Sequence, residues 1–273
     1  MALFYTLVGA FAIFWFTCAY LKFKASTYSP VVKLQLGSKI GILVTSTSVA
    51  REVLRDQDIV FANRDIVFAN RDVPNTAKML SSATLEKAYE LRRRVLVQTA
   101  KLVEVVGKDN LVKESHIHKL PYLLAIMKES LRLHPILPLL VPHCSSEPCT
   151  VGGYAIPKGS RVFVNAWAIH RDPSIRKNSL EFNPSRFLNG QWDFNGSDFS
   201  YFPFGSGRRI CAGIAMAERM VLYSVATLLH SFDWKVPEGK KLDLSEKFGI
   251  VLKLENPLVA IPTPRLSDPS LYE

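Results

Sequence analysis

The chain has 273 residues, 48% of them hydrophobic and 21% charged, a balance that excludes disorder and is long enough for one large core or two small ones. The formal net charge of +10 points to an anionic partner or surface, but no basic run alternates with aromatic residues, so nucleic acid is excluded as that partner. The four cysteines, Cys18, Cys144, Cys149 and Cys211, do not form a disulfide framework, which places the chain in a reducing, cytosol-facing setting.

Ala2 to Leu21 contains no charged residue, and Lys22 and Lys24 follow at once. Twenty helical residues at about 1.5 Å each span about 30 Å, the thickness of a bilayer's hydrocarbon core. A basic leading region and a small-residue cleavage site are both lacking, so the segment reads as a signal anchor over residues 1–24. The flanking lysines place the N-terminus in the lumen and everything after it in the cytoplasm.

Val31 to Leu36 and Ile42 to Val44 are predicted as paired strands around Gly37 and Gly41. Ser46, Thr47 and Ser48 offer an N-cap for a helix from Val49 to about Arg55. Asp58 to Arg64 is then repeated without change as Asp65 to Arg71. The period is far too short for a solenoid, so the repeat reads as a tandem duplication whose second copy loops out or disturbs its surroundings. Thr84 to about Val106 has helical periodicity, with Leu85, Leu91, Val95, Leu96 and Leu102 apolar among charges.

Pro121 suits the first turn of a helix and Pro135 ends it at His134. Leu123, Ile126, Met127 and Leu131 make its apolar face, and Glu129 and Arg132, three apart, share another. Alone, such a pair reads as an exposed salt bridge worth a few tenths of a kcal/mol. Three short strands follow, Cys149–Val151, Tyr154–Ile156 and Arg161–Val164, with Gly152-Gly153 and Pro157-Lys158-Gly159 as turns. His170 and Arg171 read as shaping a helix start.

The stretch Phe204-Gly205-Ser206-Gly207-Arg208-Arg209-Ile210-Cys211-Ala212-Gly213 carries one cysteine on a glycine-punctuated loop, directly before helical periodicity from Ile214 to Leu229. A thiolate there sits at a helix N-terminus, where free N–H groups and the dipole favour negative charge. Gly205, Gly207 and Gly213 allow positive φ and a close approach to something flat or bulky. Arg209 is suited to an anionic partner such as a carboxylate. A lone cysteine in such a place can also be a small buried hydrophobe. A redox or zinc thiol would need a second Cys or His nearby; none lies in the thirty residues before Cys211, and His230 is nineteen after it.

The string Phe204-x-x-Gly207-x-Arg209-x-Cys211-x-Gly213 resembles the ligand loop of the cytochrome P450 family of haem-thiolate monooxygenases. Glu129-Ser130-Leu131-Arg132, the segment Trp167 to Pro173, and Phe182-Asn183-Pro184-Ser185-Arg186-Phe187 are similar to three further motifs of that family, in order. The similarity runs over Ser29 to about Arg93 and about Leu102 to Pro262, and is greatest to plant microsomal members of the kind that hydroxylate monoterpenoids such as geraniol.

The resemblance implies a mainly α fold with small β-sheets, the proximal half of a P450 fold after an N-terminal transmembrane helix. The parts would be a membrane anchor (1–24) and a truncated haem-thiolate domain (25–273), built from 25–94 and 102–273. It implies haem b as cofactor, with Cys211 as the axial iron ligand and Phe204, Gly205 and Gly213 around the sulfur. Arg209 and His143 would reach the haem carboxylates, although His143 alone could equally cap a turn or face solvent. Glu129, Arg132 and Arg186 would form a buried network. Leu139, Leu140, Val141 and, in the loop Phe248 to Leu252, Ile250 would line a cavity for a small apolar, terpenoid-like substrate; an apolar strand is the plain reading of that loop. The partners implied are an NADPH-dependent reductase and the endoplasmic reticulum membrane, crossed once.

Between about Arg94 and Leu102 the resemblance skips the family's distal helix, with its acid–threonine pair, and its Trp-x-x-x-Arg helix; no acid-Thr-Thr or acid-Thr-Ser string occurs in this chain. Two readings follow: a membrane-anchored monooxygenase, or a catalytically incompetent fragment that binds haem weakly or not at all. A thiol enzyme without haem would need a base or resolving cysteine, and the sequence around Cys211 offers neither.

Overall fold

Val31–Leu36 (β1) and Lys39–Val44 (β2) pair antiparallel, from Val31 opposite Val44 to Leu36 opposite Lys39. In the computed structural model, which describes residues 29–36, 39–64, 101–239, 243, 245–247 and 249–272, this hairpin is one edge of a four-stranded sheet. His143–Cys144 (β3), Cys149–Val151 (β4), Tyr154–Ile156 (β5) and Arg161–Val164 (β6) follow in the chain. β6 lies parallel to β2, and β3 lies antiparallel to β6, giving the order β1-β2-β6-β3. β4 and β5 form their own hairpin. Ile42, Leu43 and Val44 are all buried, as expected of a strand with neighbours on both sides.

Ser46 caps helix α1 (Thr47–Arg51), its side chain accepting the Val49 N–H at 3.4 Å. The predicted helix to Arg55 does not stay α-helical. Glu52–Asp56 widens into a π-helical turn, and Glu52 is held there from outside, accepting from Gln57 Nε2 at 3.0 Å and from the Gly152 N–H at 2.9 Å. Such π turns are frequent at functional sites.

Residues 101–106 are helical, and Leu102 and Val106 enter a core shared with α3 (Pro121–Leu133), after the short α2 (Glu114–Ile117). α4 (Ala166–Ile169) and α5 (Ile214–Ser231) complete the described α-helices. Val221, Leu222, Val225, Ala226 and Leu229 of α5 pack into that first core together with Phe187 and Tyr201. A second core lies on the sheet, where Val53, Leu54, Phe61, Ile169, Phe199 and Phe202 meet Ile42, Val44, Val162 and Val164.

α3 corrects the sequence reading of a single apolar stripe. Every residue from Ala125 to Leu133 is buried, Lys128, Glu129 and Arg132 included, so the exposed-salt-bridge reading of Glu129 and Arg132 is excluded. Near the C-terminus, Phe232–Lys235 (β7) pairs with Ile261–Pro264 (β10), and Glu246–Lys247 (β8) with Lys253–Leu254 (β9). Residues 249–251 form bends and Leu252 joins no strand, so the apolar strand expected there does not form; Phe248 lies outside the described residues.

Among the described residues no helix is long and apolar enough to cross a membrane. The expected anchor at Ala2 to Leu21, Cys18, the second heptapeptide copy and the helical pattern from Thr84 to residue 100 lie outside the described residues.

Candidate haem-thiolate site

Cys211 is presented by a tightly cross-braced loop. The Phe202 carbonyl accepts the Gly205 N–H at 3.0 Å, and the Phe204 carbonyl accepts the Cys211 N–H at 3.0 Å. Gly205 (φ 79°) and Gly207 (φ 66°) occupy the left-handed region, which explains glycine at both. Gly213 does not: it serves as N-cap of α5 with φ −91°, and a Cβ there would lie 3.8 Å from the Cys211 sulfur, an ordinary van der Waals contact. Behind the loop, Ser206 Oγ donates to the Gly196 carbonyl at 2.5 Å. A Cβ on Gly207 would fall 1.8 Å from the Leu54 carbonyl oxygen, so the loop rests on the backbone of the π turn. Cys211 itself is exposed, which removes the buried-hydrophobe reading and leaves the thiol accessible just before an 18-residue helix.

A cavity of about 240 Å³ opens beside the sulfur. Leu131, Ile136, Leu137, Leu140, Val141 and Val251 form its apolar wall, and Phe204, Gly205 and Cys211 close one end. Leu140 holds φ 51°, a costly conformation for a branched side chain, directly on the wall.

Among the described residues, Arg64, His143 and Arg209 bring the titratable nitrogens to the cavity lining. Arg209 Nε donates to the Ala62 carbonyl at 2.7 Å. Arg64 Nη1 donates to the carbonyls of Val141 and, at 3.1 Å, Pro142. Burial, and then the Arg209 charge, push the Arg64 pKa down to about 10. His143 donates from Nδ1 to the Phe61 carbonyl at 2.7 Å; burial first, then the Arg64 charge, push its pKa down to about 4 and keep it neutral. Among the described residues no carboxylate pairs with either guanidinium. Two mutually repelling cations in an acid-free apolar cavity match a ligand with an apolar body and carboxylate edges.

Sequence reasoning missed Arg64. It ends the first heptapeptide copy, which the repeat made look anomalous, yet that copy is woven into the site. Phe61 is core, the Ala62 carbonyl holds Arg209, and the Asn63 carbonyl accepts the Cys144 N–H at 2.9 Å. Two expected lining residues are corrected as well. Leu139 is off the wall, its carbonyl instead accepting the Val164 N–H at 3.3 Å. Ile250 is 39% exposed; Val251 faces the cavity in its place because the next N–H, that of Leu252, is tied to the Ile136 carbonyl at 2.8 Å.

Glu129, Arg132 and Arg186 meet. Arg132 binds Glu129 through Nε at 2.6 Å and Nη2 at 2.9 Å, and gives its remaining N–H groups to the carbonyls of His170, Ser179 and Glu181 at 3.0, 2.6 and 3.1 Å. All five guanidinium donors are thereby used. Arg186, placed by the 3₁₀ turn Pro184–Phe187, reaches Glu129 at 3.1 Å, and the Asn183 N–H donates to the same oxygen at 2.7 Å.

Residues 99–261 match the family model described as Cytochrome P450, more than half of the chain, and the chain belongs to that family. A flavonoid 3',5'-hydroxylase of Crocosmia x crocosmiiflora is 50% identical over 203 residues, 70% of this chain and 38% of the relative. A carnosic acid synthase of Rosmarinus officinalis is 50% identical over 60% of this chain and 33% of its own length. For a geraniol 8-hydroxylase of Swertia mussotii the figures are 48%, 60% and 34%. The chain thus spans about a third to a half of the length of the curated relatives it matches. A zebra fish cytochrome P450 solved with abiraterone superposes with a TM-score of 0.78 at 20% identity, over 90% of this chain and 98% of the other, which shows the shared fold.

Proposed function

We propose that this chain carries the haem-thiolate end of a monooxygenase, with Cys211 as the axial iron ligand of a haem b. The observation that carries the reading is a single thiol at a helix start, beside an apolar cavity whose only cations, Arg64 and Arg209, have no carboxylate partner among the described residues. When bound, the haem supplies oxygen activation, which a thiolate ligand promotes by pushing electron density towards the iron. Arg209 and Arg64 would hold the carboxylate edges. His143, neutral with its Nδ1 proton given to Phe61, joins them only by taking up a proton at Nε2. Leu137, Leu140, Val141 and Val251 would orient a small apolar substrate, terpenoid-like by analogy with the relatives, and exclude water from its side of the site. The uncharged run Ala2 to Leu21 supports anchoring at the endoplasmic reticulum, the domain facing the cytoplasm and an NADPH-dependent reductase.

A second reading, an incompetent fragment, is favoured by one specific observation. Cys211 is exposed, and α5 beyond it leaves Met216 (72%), Met220 and Tyr223 uncovered on one face. The sequence also lacks an acid–threonine pair to deliver protons. Water would reach such a site, and reduced oxygen would escape as peroxide or superoxide.

Haem-loaded protein, reduced under carbon monoxide, decides between them. A red-shifted Soret band that Cys211→Ser abolishes supports the thiolate ligation, and its absence overturns it. Coupled, stoichiometric hydroxylation of a terpenoid then supports the monooxygenase; peroxide in place of product supports the fragment.

A further inference from the structure

His170 and Arg171, which the sequence suggests shape a helix start, instead follow the end of α4, where His170 is the C-cap, and the structure gives His170 more to do. The residue is fully buried and ties together two segments distant in sequence. On its backbone side, the carbonyl accepts Arg132 Nη1 at 3.0 Å, inside the Glu129 network. On its side-chain side, Nε2 accepts the Phe202 N–H at 3.0 Å. Phe202 opens the Cys211 loop: its carbonyl takes the Gly205 N–H, and the Phe204 carbonyl takes the Cys211 N–H, each at 3.0 Å. A connected frame therefore runs from the ion pair on α3, through one imidazole, to the backbone of Cys211.

The imidazole is held in the only state that makes this link. An N–H aimed at Nε2 requires a lone pair there, so the proton sits on Nδ1, which has no partner among the described residues. Burial first, then the charges of Arg176, Arg132 and Arg171, push the His170 pKa well below its ordinary value and keep the ring neutral. Tyr201 and Phe202 pack on the ring with centroids at 5.5 and 5.1 Å and fix its plane. Position 170 is itself set by α4, where Asn165 caps the Ala168 N–H at 3.0 Å and the Asn165 N–H is tied to the Val44 carbonyl of β2 at 2.9 Å.

We propose that His170 is a positioning residue for the Cys211 loop: its Nε2, acting only as an acceptor, fixes the Phe202 amide and thereby couples the loop that presents the thiolate to the buried Glu129–Arg132 frame. The loop placement stands on these contacts alone; only its consequence for haem rests on the ligation proposed above.

The test uses the full chain in detergent. Histidine labelled with ¹⁵N should show position 170 as the Nδ1–H tautomer with an unprotonated, hydrogen-bonded Nε2; an Nε2–H tautomer overturns the proposal without any variant. Gln at 170 can place an acceptor oxygen where Nε2 stands, whereas Asn is too short. His170→Gln should leave hydrogen exchange of residues 202–211 as in the parent chain. His170→Asn should speed it by about tenfold or more there, the scale of one lost buried hydrogen bond, with α3 and α5 unchanged. Equal acceleration in both variants, none in either, or acceleration spread over the whole chain overturns it. Failure of the thiolate Soret band in the parent chain, with this exchange pattern intact, would sink the ligation and leave the positioning role standing.

Discussion

Glu129 is fully buried and holds two guanidiniums at once, so its network is strong only while complete. Removing one partner of a buried pair leaves an uncompensated charge in a low dielectric, a loss of about 3–5 kcal/mol. Arg132→Ala should therefore lower the urea unfolding free energy by that amount, orphaning three carbonyls besides. Arg186→Ala should cost less, about 1–2 kcal/mol, because Arg186 is partly exposed and Arg132 still covers the carboxylate. Equal losses for the two variants would contradict this ranking. Arg64 behaves the other way round. Its charge is disfavoured where it sits, so Arg64→Gln should keep the unfolding midpoint of the ligand-free chain within a few degrees. The same change should weaken haem binding about tenfold, the scale of one charge-assisted contact, measured by haem titration. The spacing of Glu129 and Arg132 was readable, but not their burial, because the acceptors that satisfy Arg132 lie 38 to 49 residues downstream. Arg64 was not readable at all, since nothing local marks an arginine as one side of a cavity.

At the scale of elements, the Cys211 loop meets the π turn at Gly207, where an added Cβ would come closer to its neighbour than at any other described glycine. Gly207→Ala would drive a methyl into the Leu54 carbonyl and force a non-glycine residue to φ 66°; a loss of about 3 kcal/mol or more is expected. Gly153→Ala shares the backbone strain, at φ 81°, but meets nothing within 4 Å, so about 1 kcal/mol is expected. Denaturant titrations of the pair separate clash from strain. The short strands and α3 were legible because Pro and Gly bound them and their apolar spacing is regular. The π turn was not, since its extra residue is accommodated by partners such as Gly152, one hundred residues away in sequence. Likewise Val251 replaced Ile250 on the cavity wall through one backbone bond to α3's exit, which no period in the sequence encodes.

For the molecule as a whole, buried neutral histidines set an acid limit. His143, held at about 4, binds its proton less readily folded than unfolded, so stability is complete above about pH 6.5 and falls as pH drops towards 4. Between about pH 7 and pH 5 that residue alone should remove roughly 2 kcal/mol, and His170 adds to the slope in the same direction. Urea midpoints measured across this range should decline in the parent chain and flatten in His143→Gln; a flat parent profile would refute the burial argument. The repeat gives a further test. Deleting either heptapeptide copy yields the same polypeptide, and one copy already supplies Phe61, Ala62 and Arg64 to core and site, so stability should be unchanged or raised. A loss above about 2 kcal/mol would mean that both copies are integrated.

The parallel pairing of β2 with β6 has a consequence during synthesis. Val44 and Arg161 are separated by more than a hundred residues, yet their strands lie side by side at the centre of the sheet. At roughly 5–20 residues per second, a ribosome needs on the order of ten seconds to deliver β6 after β2 has emerged. Throughout that interval the β1–β2 hairpin presents the bare edge of Ile42, Leu43 and Val44, unpaired and apolar. The nascent chain is therefore most exposed to mispairing before any residue of the Cys211 loop has been translated, and a chaperone that shields strand edges would act at that stage.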